Sequence, residues 1–68
     1  MTANQFLQMD YSDQLKLINR LGELQKFYQG EGYYISIYFL HDFYVRLKRK
    51  EGAIHYEELS VVTDNLRN

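Results

Sequence analysis

The chain has 68 residues, of which 46% are hydrophobic and 25% charged, and its formal net charge at pH 7 is -1. This composition is typical of one small globular domain and not of a disordered tail, and the nearly balanced charge argues against general polyanion binding. Because Cys is absent, disulfide bonds and cysteine zinc sites are excluded.

The sequence also predicts where the protein resides. Residues 1–5 contain no basic side chain and begin no long apolar run, whereas a secretory signal needs both. No segment reaches the roughly 18 apolar residues that a membrane-spanning helix requires. We therefore expect a cytoplasmic protein that does not associate with membranes.

For residues 1–11 the sequence predicts an N-terminal arm or a short helix. They are mostly polar, with apolar side chains at Phe6, Leu7 and Met9. Thr2 is followed three positions later by Gln5, which is the spacing of a capping box.

A longer helix is predicted over residues 12–29. Ser12 is a favoured N-cap and Gly30 a favoured C-terminal stop. Apolar residues recur at the three- and four-residue steps of one helical face: Leu17, Ile18, Leu21, Leu24 and Tyr28. Gly22 then lies in mid-helix, either as a tolerated surface glycine or at a close approach to another element.

Between Tyr33 and Arg49 the period of the hydrophobic pattern along the sequence changes to two residues, which indicates β-structure. A single strand of this length would be too long, so the segment must fold back near residues 40–42. A three-residue loop pairs Ile37 with Val45 and keeps apolar side chains together. A two-residue loop opposes Ile37 to Arg46 and mixes the faces, which register rules disfavour.

The alternative for this segment is a helix across residues 38–50. Phe39, Phe43 and Leu47 also fall at four-residue spacing. The enrichment in β-branched and aromatic residues favours strands.

A second turn at Glu51-Gly52 predicts a third strand that reaches residue 59. This hairpin sets Leu47 opposite Tyr56 and Arg49 opposite Ile54. Residues 60–68 predict a C-terminal turn or short helix. The predicted fold is α+β, a single domain over residues 1–68 with an N-terminal helix packed on a three-stranded antiparallel β-meander over residues 33–59.

The predicted outer face of this meander is the candidate interaction surface. It combines aromatic, cationic and other polar side chains: Tyr34, Tyr38, Tyr44, Arg46, Lys48, His55 and Glu57. Tyr and Arg are enriched at the energetic centres of protein interfaces, and a small chain gains stability by burying surface against a partner. We therefore expect a protein-interaction module that forms a homodimer through this face or through an exposed edge strand.

The same face has an alternative interpretation as a platform for single-stranded nucleic acid, because bases stack on aromatic rings beside Arg and Lys. Glu57 opposite Arg46 weakens this interpretation, and no motif of an RNA-binding sheet is present. A third possibility is a monomer whose Tyr side chains fill a small core and an ordinary exposed face.

Enzymatic activity is not expected. Ser12, Ser36 and Ser60 lie in no nucleophile motif, and Gly30-Glu31-Gly32 lacks the further residues of a phosphate-binding loop. His41 and His55 fall roughly 20 Å apart in the predicted register, which is too far for one metal ion. The sequence predicts no cofactor and no metal.

Overall fold

The computed structural model describes residues 1–62. Within these residues the chain forms two helices followed by four strands. The helices are α1 (Ala3–Leu7) and α2 (Tyr11–Leu21), and the strands are β1 (Glu23–Gly30), β2 (Tyr33–Leu40), β3 (Phe43–Lys50) and β4 (Glu58–Val62). The strands form one antiparallel sheet in the order β1-β2-β3-β4. The α+β class is confirmed, with four strands instead of three.

Helix α1 is held by the capping box that the sequence predicts. The Gln5 backbone N–H donates to the Thr2 hydroxyl oxygen at 3.1 Å, and the Thr2 backbone N–H donates to Gln5 Oε1 at 2.8 Å. This short helix places Phe6 fully inside the core, where its ring centroid lies 5.5 Å from that of Phe43.

Helix α2 ends at Leu21, so the predicted helix over residues 12–29 is wrong beyond that point. The Gly22 N–H donates to the Ile18 carbonyl oxygen at 2.8 Å, and its ψ of 144° turns the chain into an extended conformation. A Cβ at Gly22 would lie 2.6 Å from the Ile18 oxygen. The close approach at this glycine is therefore to its own helix, at the point where the helix ends.

Strands β1 and β2 are joined by the two-residue turn Glu31-Gly32. Both residues have positive φ, at 55° and 84°, which is the signature of a type I′ turn whose twist matches that of the strands. Gly30, predicted to stop a helix, is the last residue of β1 and lies opposite Tyr33.

The β2–β3 hairpin has a two-residue turn at His41-Asp42, so the predicted three-residue loop is wrong. Leu40 pairs with Phe43 and Ile37 pairs with Arg46. This one-residue difference turns every β2 side chain to the face opposite the predicted one. Leu40, 0% exposed, enters the core as a result.

Strand β4 begins later than predicted, because residues 51–57 form a loop instead of a tight turn. Leu47 pairs with Leu59, not with Tyr56. Arg49 is not paired with Ile54, which is 87% exposed in the loop. Of the predicted C-terminal turn or helix, residues 60–62 lie in β4, and residues 63–68 lie outside the described part of the chain.

The core lies between the two helices and one face of the sheet, which we call the inner face. Its buried residues come from α1, α2 and the strands β2 and β3: Phe6, Ile18, Leu40, Phe43, Val45 and Leu47. Leu59 and Val61 of β4 pack against this cluster. The helices therefore cover the β2–β4 side of the sheet, and β1 contributes no buried residue.

One polar contact joins the two helices inside this core. Gln14 is 7% exposed, and its Nε2 donates to the Phe6 carbonyl oxygen at 2.9 Å. The same carbonyl also accepts the Met9 backbone N–H at 3.1 Å, so the Gln14 bond is a second one to this oxygen and gives the buried amide a partner. In residues 1–62 no helix is long and apolar enough to cross a membrane.

Candidate functional site

The observed register divides the predicted interaction residues between the two faces of the sheet. Tyr44, Arg46 and Lys48 lie on the face away from the helices, which we call the outer face. Tyr34 and Tyr38 pair with Arg49 and Val45 and so share the inner face. The prediction that all three Tyr belong to one surface is wrong, because the β2–β3 turn is one residue shorter than expected.

His55 and Glu57 lie in the loop between β3 and β4 and not on a strand. The partner of Arg46 is Glu58, the next residue along the chain, with an Arg46 nitrogen 3.1 Å from Glu58 Oε1. Because both side chains are partly exposed, the ion pair contributes at most about 1 kcal/mol. The carboxylate beside Arg46 is therefore that of Glu58 and not, as predicted, that of Glu57.

The outer face is more apolar than the sequence pattern predicts. Ile35, Ile37 and Phe39 occupy it on β2, and Ile37 is 5% exposed although it does not belong to the core cluster on the inner face. Lys26 and Arg46 stand directly opposite Ile37 on the two neighbouring strands. The hydrocarbon stems of such residues cover apolar surface while their charges remain in water.

Aromatic rings on the outer face pack against their neighbours. The ring centroids of Phe39 and Tyr44 are 5.1 Å apart, and Lys48 Nζ lies 4.3 Å from the Tyr33 ring centroid. Beside Tyr33 is an open cleft of about 290 Å³, bounded by Tyr28, Gly30 and Ile35 among others. The sequence did not predict Tyr28 and Tyr33 as outer-face residues. Tyr28 fell within the predicted helix over residues 12–29, and the predicted three-residue β2–β3 loop placed Tyr33 on the inner face.

Strand β1 is an exposed edge of the sheet. All eight of its residues are exposed, and in the described part of the chain no strand pairs with its free side. An edge of this kind presents unpaired backbone N–H and C=O groups to solvent. Within residues 1–62 it is longer than β4, the other edge strand, which has five residues.

Apolar side chains accompany this edge on the inner face. Leu24 and Phe27 pair with Tyr38 and Ser36, and Leu21 ends α2 three residues before Leu24. Leu21, Leu24 and Phe27 are 51%, 55% and 54% exposed. We call the two strand residues, Leu24 and Phe27, the β1 patch. It remains open because the helices pack over β2–β4.

A row of stacked side chains continues from the β1 patch across the inner face. The ring centroids of Phe27 and Tyr34 are 5.8 Å apart in a stacked arrangement. The Arg49 guanidinium lies 4.9 Å from the Tyr34 centroid and donates to the Ala53 carbonyl oxygen at 2.8 Å. The row supports one side of Phe27 and leaves the side toward the sheet edge uncovered.

Tyr38 gives this part of the inner face a pH dependence. Burial raises the pKa of the Tyr38 hydroxyl above its ordinary value of 10.0, and neighbouring Tyr56 raises it further. Since the folded state disfavours the ionised ring, this contribution to stability is complete below about pH 10 and is lost as the pH rises through the folded pKa. We expect the free energy of unfolding to fall more between about pH 9 and about pH 11 in the wild type than in Tyr38→Phe.

Urea unfolding curves of both proteins at the two pH values measure this difference. Tyr38→Phe is a matched control because it removes only the ionisable hydroxyl. Equal losses of stability in the two proteins would show that Tyr38 titrates as in the unfolded chain.

The described residues hold no group of three His, Asp or Glu side chains with the geometry of a metal site. The fold and the surface together define a small α+β protein with a four-stranded antiparallel meander and an exposed, apolar-flanked edge strand. Comparison of the chain with family models, curated proteins and solved structures finds no match.

Proposed function

We propose that this protein is a small, non-enzymatic interaction module of the cytoplasm that self-associates through the β1 edge. The observation that carries the proposal is the coincidence of an edge strand exposed along its whole length with the half-exposed β1 patch beside it. Natural sheets usually protect such an edge with charge, proline or a covering element. β1 has charged side chains at Glu23 and Lys26 and a bulge between Leu24 and Lys26, but Leu24 and Phe27 still expose apolar surface beside this edge.

Two physical contributions favour association at this surface. A strand that pairs with β1 satisfies the exposed backbone groups, which supplies affinity with little dependence on sequence. Side chains that cover the β1 patch remove apolar surface from water, at about 25 cal/mol per Å². A small chain has few other means of increasing its buried surface.

The mass of the protein in solution as a function of concentration tests the proposal. We expect light scattering or sedimentation to show a monomer that converts to a dimer between micromolar and millimolar concentrations, because a single edge contact is smaller than a standard interface of about 800 Å² per partner. A monomeric mass over the whole range would contradict self-association.

A second candidate function is the binding of single-stranded nucleic acid on the outer face. The observation that favours it is the presence of Tyr33, Tyr44 and Lys48 on one open face, beside the cleft next to Tyr28. Rings of this kind stack on bases, and the ammonium groups attract phosphates.

Titration with a short single-stranded oligonucleotide at low and high salt tests this second function. We expect binding that weakens with salt and is lost in Tyr33→Ser. Phe27→Ser is the matched control, since Phe27 is an exposed ring on the opposite face. Absence of binding at low salt would exclude the nucleic-acid function.

A further inference from the structure

We propose that the partner of the β1 edge is a second copy of β1 in antiparallel register centred on Tyr28, which joins two four-stranded sheets into one continuous sheet. This inference rests on the proposed self-association and adds the geometry of the contact. The twofold axis is perpendicular to the sheet, so each face of one copy continues into the same face of the other. Tyr28 then lies directly opposite Tyr28 of the second copy.

The position of the bulge in β1 limits the possible registers. Residues 26–30 pair regularly with β2, and the register shifts between Leu24 and Lys26. A bulge disrupts the ladder and bends the strand, so the segment that accepts a new strand without distortion is 26–30. Tyr28 is the centre of this segment, and self-pairing about Tyr28 keeps the bulges of both copies outside the ladder.

Charge disfavours a register centred on Lys26 and is compatible with the register centred on Tyr28. Centring on Lys26 would oppose two ammonium groups directly, which destabilises a strand pair. Centring on Tyr28 sets Lys26 opposite Gly30 of the second copy, next to that copy's Glu31. Open space surrounds the position of a Cβ at Gly30, so the Lys26 side chain has room to extend over the glycine toward this carboxylate.

The side chains of β1 are also compatible with this pairing. On the outer face the two Tyr28 rings form a cross-strand aromatic pair, a stabilising contact in antiparallel sheets. On the inner face each Phe27 lies opposite Gln29 of the other copy and diagonal to the other Phe27. Aromatic side chains reach across the roughly 7–8 Å of such a diagonal. The exposed sides of both Phe27 rings therefore face each other across the axis.

Disulfide cross-linking of single-cysteine variants tests this register. The chain has no Cys, so an introduced thiol is the sole one. Directly opposed residues have Cα atoms about 4.5–5.5 Å apart, within the range of a disulfide. We expect Tyr28→Cys to form a covalent dimer on mild oxidation, reversible by reductant. Lys26→Cys is the control, because its two copies lie roughly 13 Å apart along the strands.

The masses of the wild type and of both variants, measured before oxidation, distinguish a failure of self-association from a failure of the Tyr28-centred register. If all three proteins are monomeric at millimolar concentration, self-association fails and the register fails with it. If they dimerise but Lys26→Cys cross-links as readily as Tyr28→Cys, the register is wrong while self-association stands. Circular dichroism of each variant confirms that the fold is retained.

Discussion

We expect Phe43→Ala to lose about 3–5 kcal/mol of folding free energy, the usual cost of removing a buried ring. Phe43 is 2% exposed and contacts Phe6 of α1 at a centroid distance of 5.5 Å. The substitution therefore leaves a cavity at the point where α1 is attached to the sheet. Because a core of this size rarely supplies more than about 3–5 kcal/mol, the variant should be largely unfolded at room temperature.

Phe27→Ala is the matched control for this prediction. It is the same chemical change in a ring that is 54% exposed, so the expected loss in the monomer is no more than about 1 kcal/mol. Urea unfolding followed by circular dichroism at low micromolar concentration measures both variants. Equal losses of stability would mean that the core does not lie between Phe6 and the inner face.

The strands β2 and β3 were predictable because their period of two is long and strict, but their register was not. On β3 the alternation is unambiguous, since Phe43, Val45 and Leu47 are buried and polar residues occur between them. On β2 both faces are apolar, with Ile37 on one and Leu40 on the other. The apolar pattern of β2 therefore does not determine which of its faces is buried. The His41-Asp42 turn also contains no glycine that would have indicated a two-residue loop.

Strand β1 was not predicted from the sequence, for a related reason. An edge strand without a covering element has no buried face, so it shows no alternation of burial along its length. Leu24 and Tyr28 instead continue the spacing of the α2 stripe and extend the apparent helix. Gly22 and the Glu31-Gly32 turn were the available indications of a hairpin. Because the β1 patch depends on this strand, the candidate site was hidden together with it.

The outer face was partly predictable. Tyr44, Arg46 and Lys48 lie together as expected, because alternation along β3 places them. The residues that accompany them differ, since the one-residue register shift replaces Tyr34 and Tyr38 with Tyr33, Ile37 and Phe39. Whether these side chains contact a partner stays a prediction.

We expect the second large effect from a substitution in the β1 patch. It changes the free energy of dimerisation and not the folding stability of the monomer. Complete burial of a Phe side chain contributes about 1.5–3 kcal/mol, and Phe27 already has about half of its surface covered. In a twofold dimer each substitution occurs twice. Phe27→Ala should therefore weaken dimerisation by about 2 kcal/mol, which raises the dimer Kd about 30-fold.

Sedimentation equilibrium of the wild type, Phe27→Ala and Ile54→Ala measures this difference. Ile54 is the control, because it is 87% exposed and lies in the loop between β3 and β4, so its removal should leave the dimer Kd unchanged. If Ile54→Ala weakened the dimer as much as Phe27→Ala, association would be a general consequence of exposed apolar surface. A selective effect of Phe27→Ala would place the dimer contact at the β1 patch.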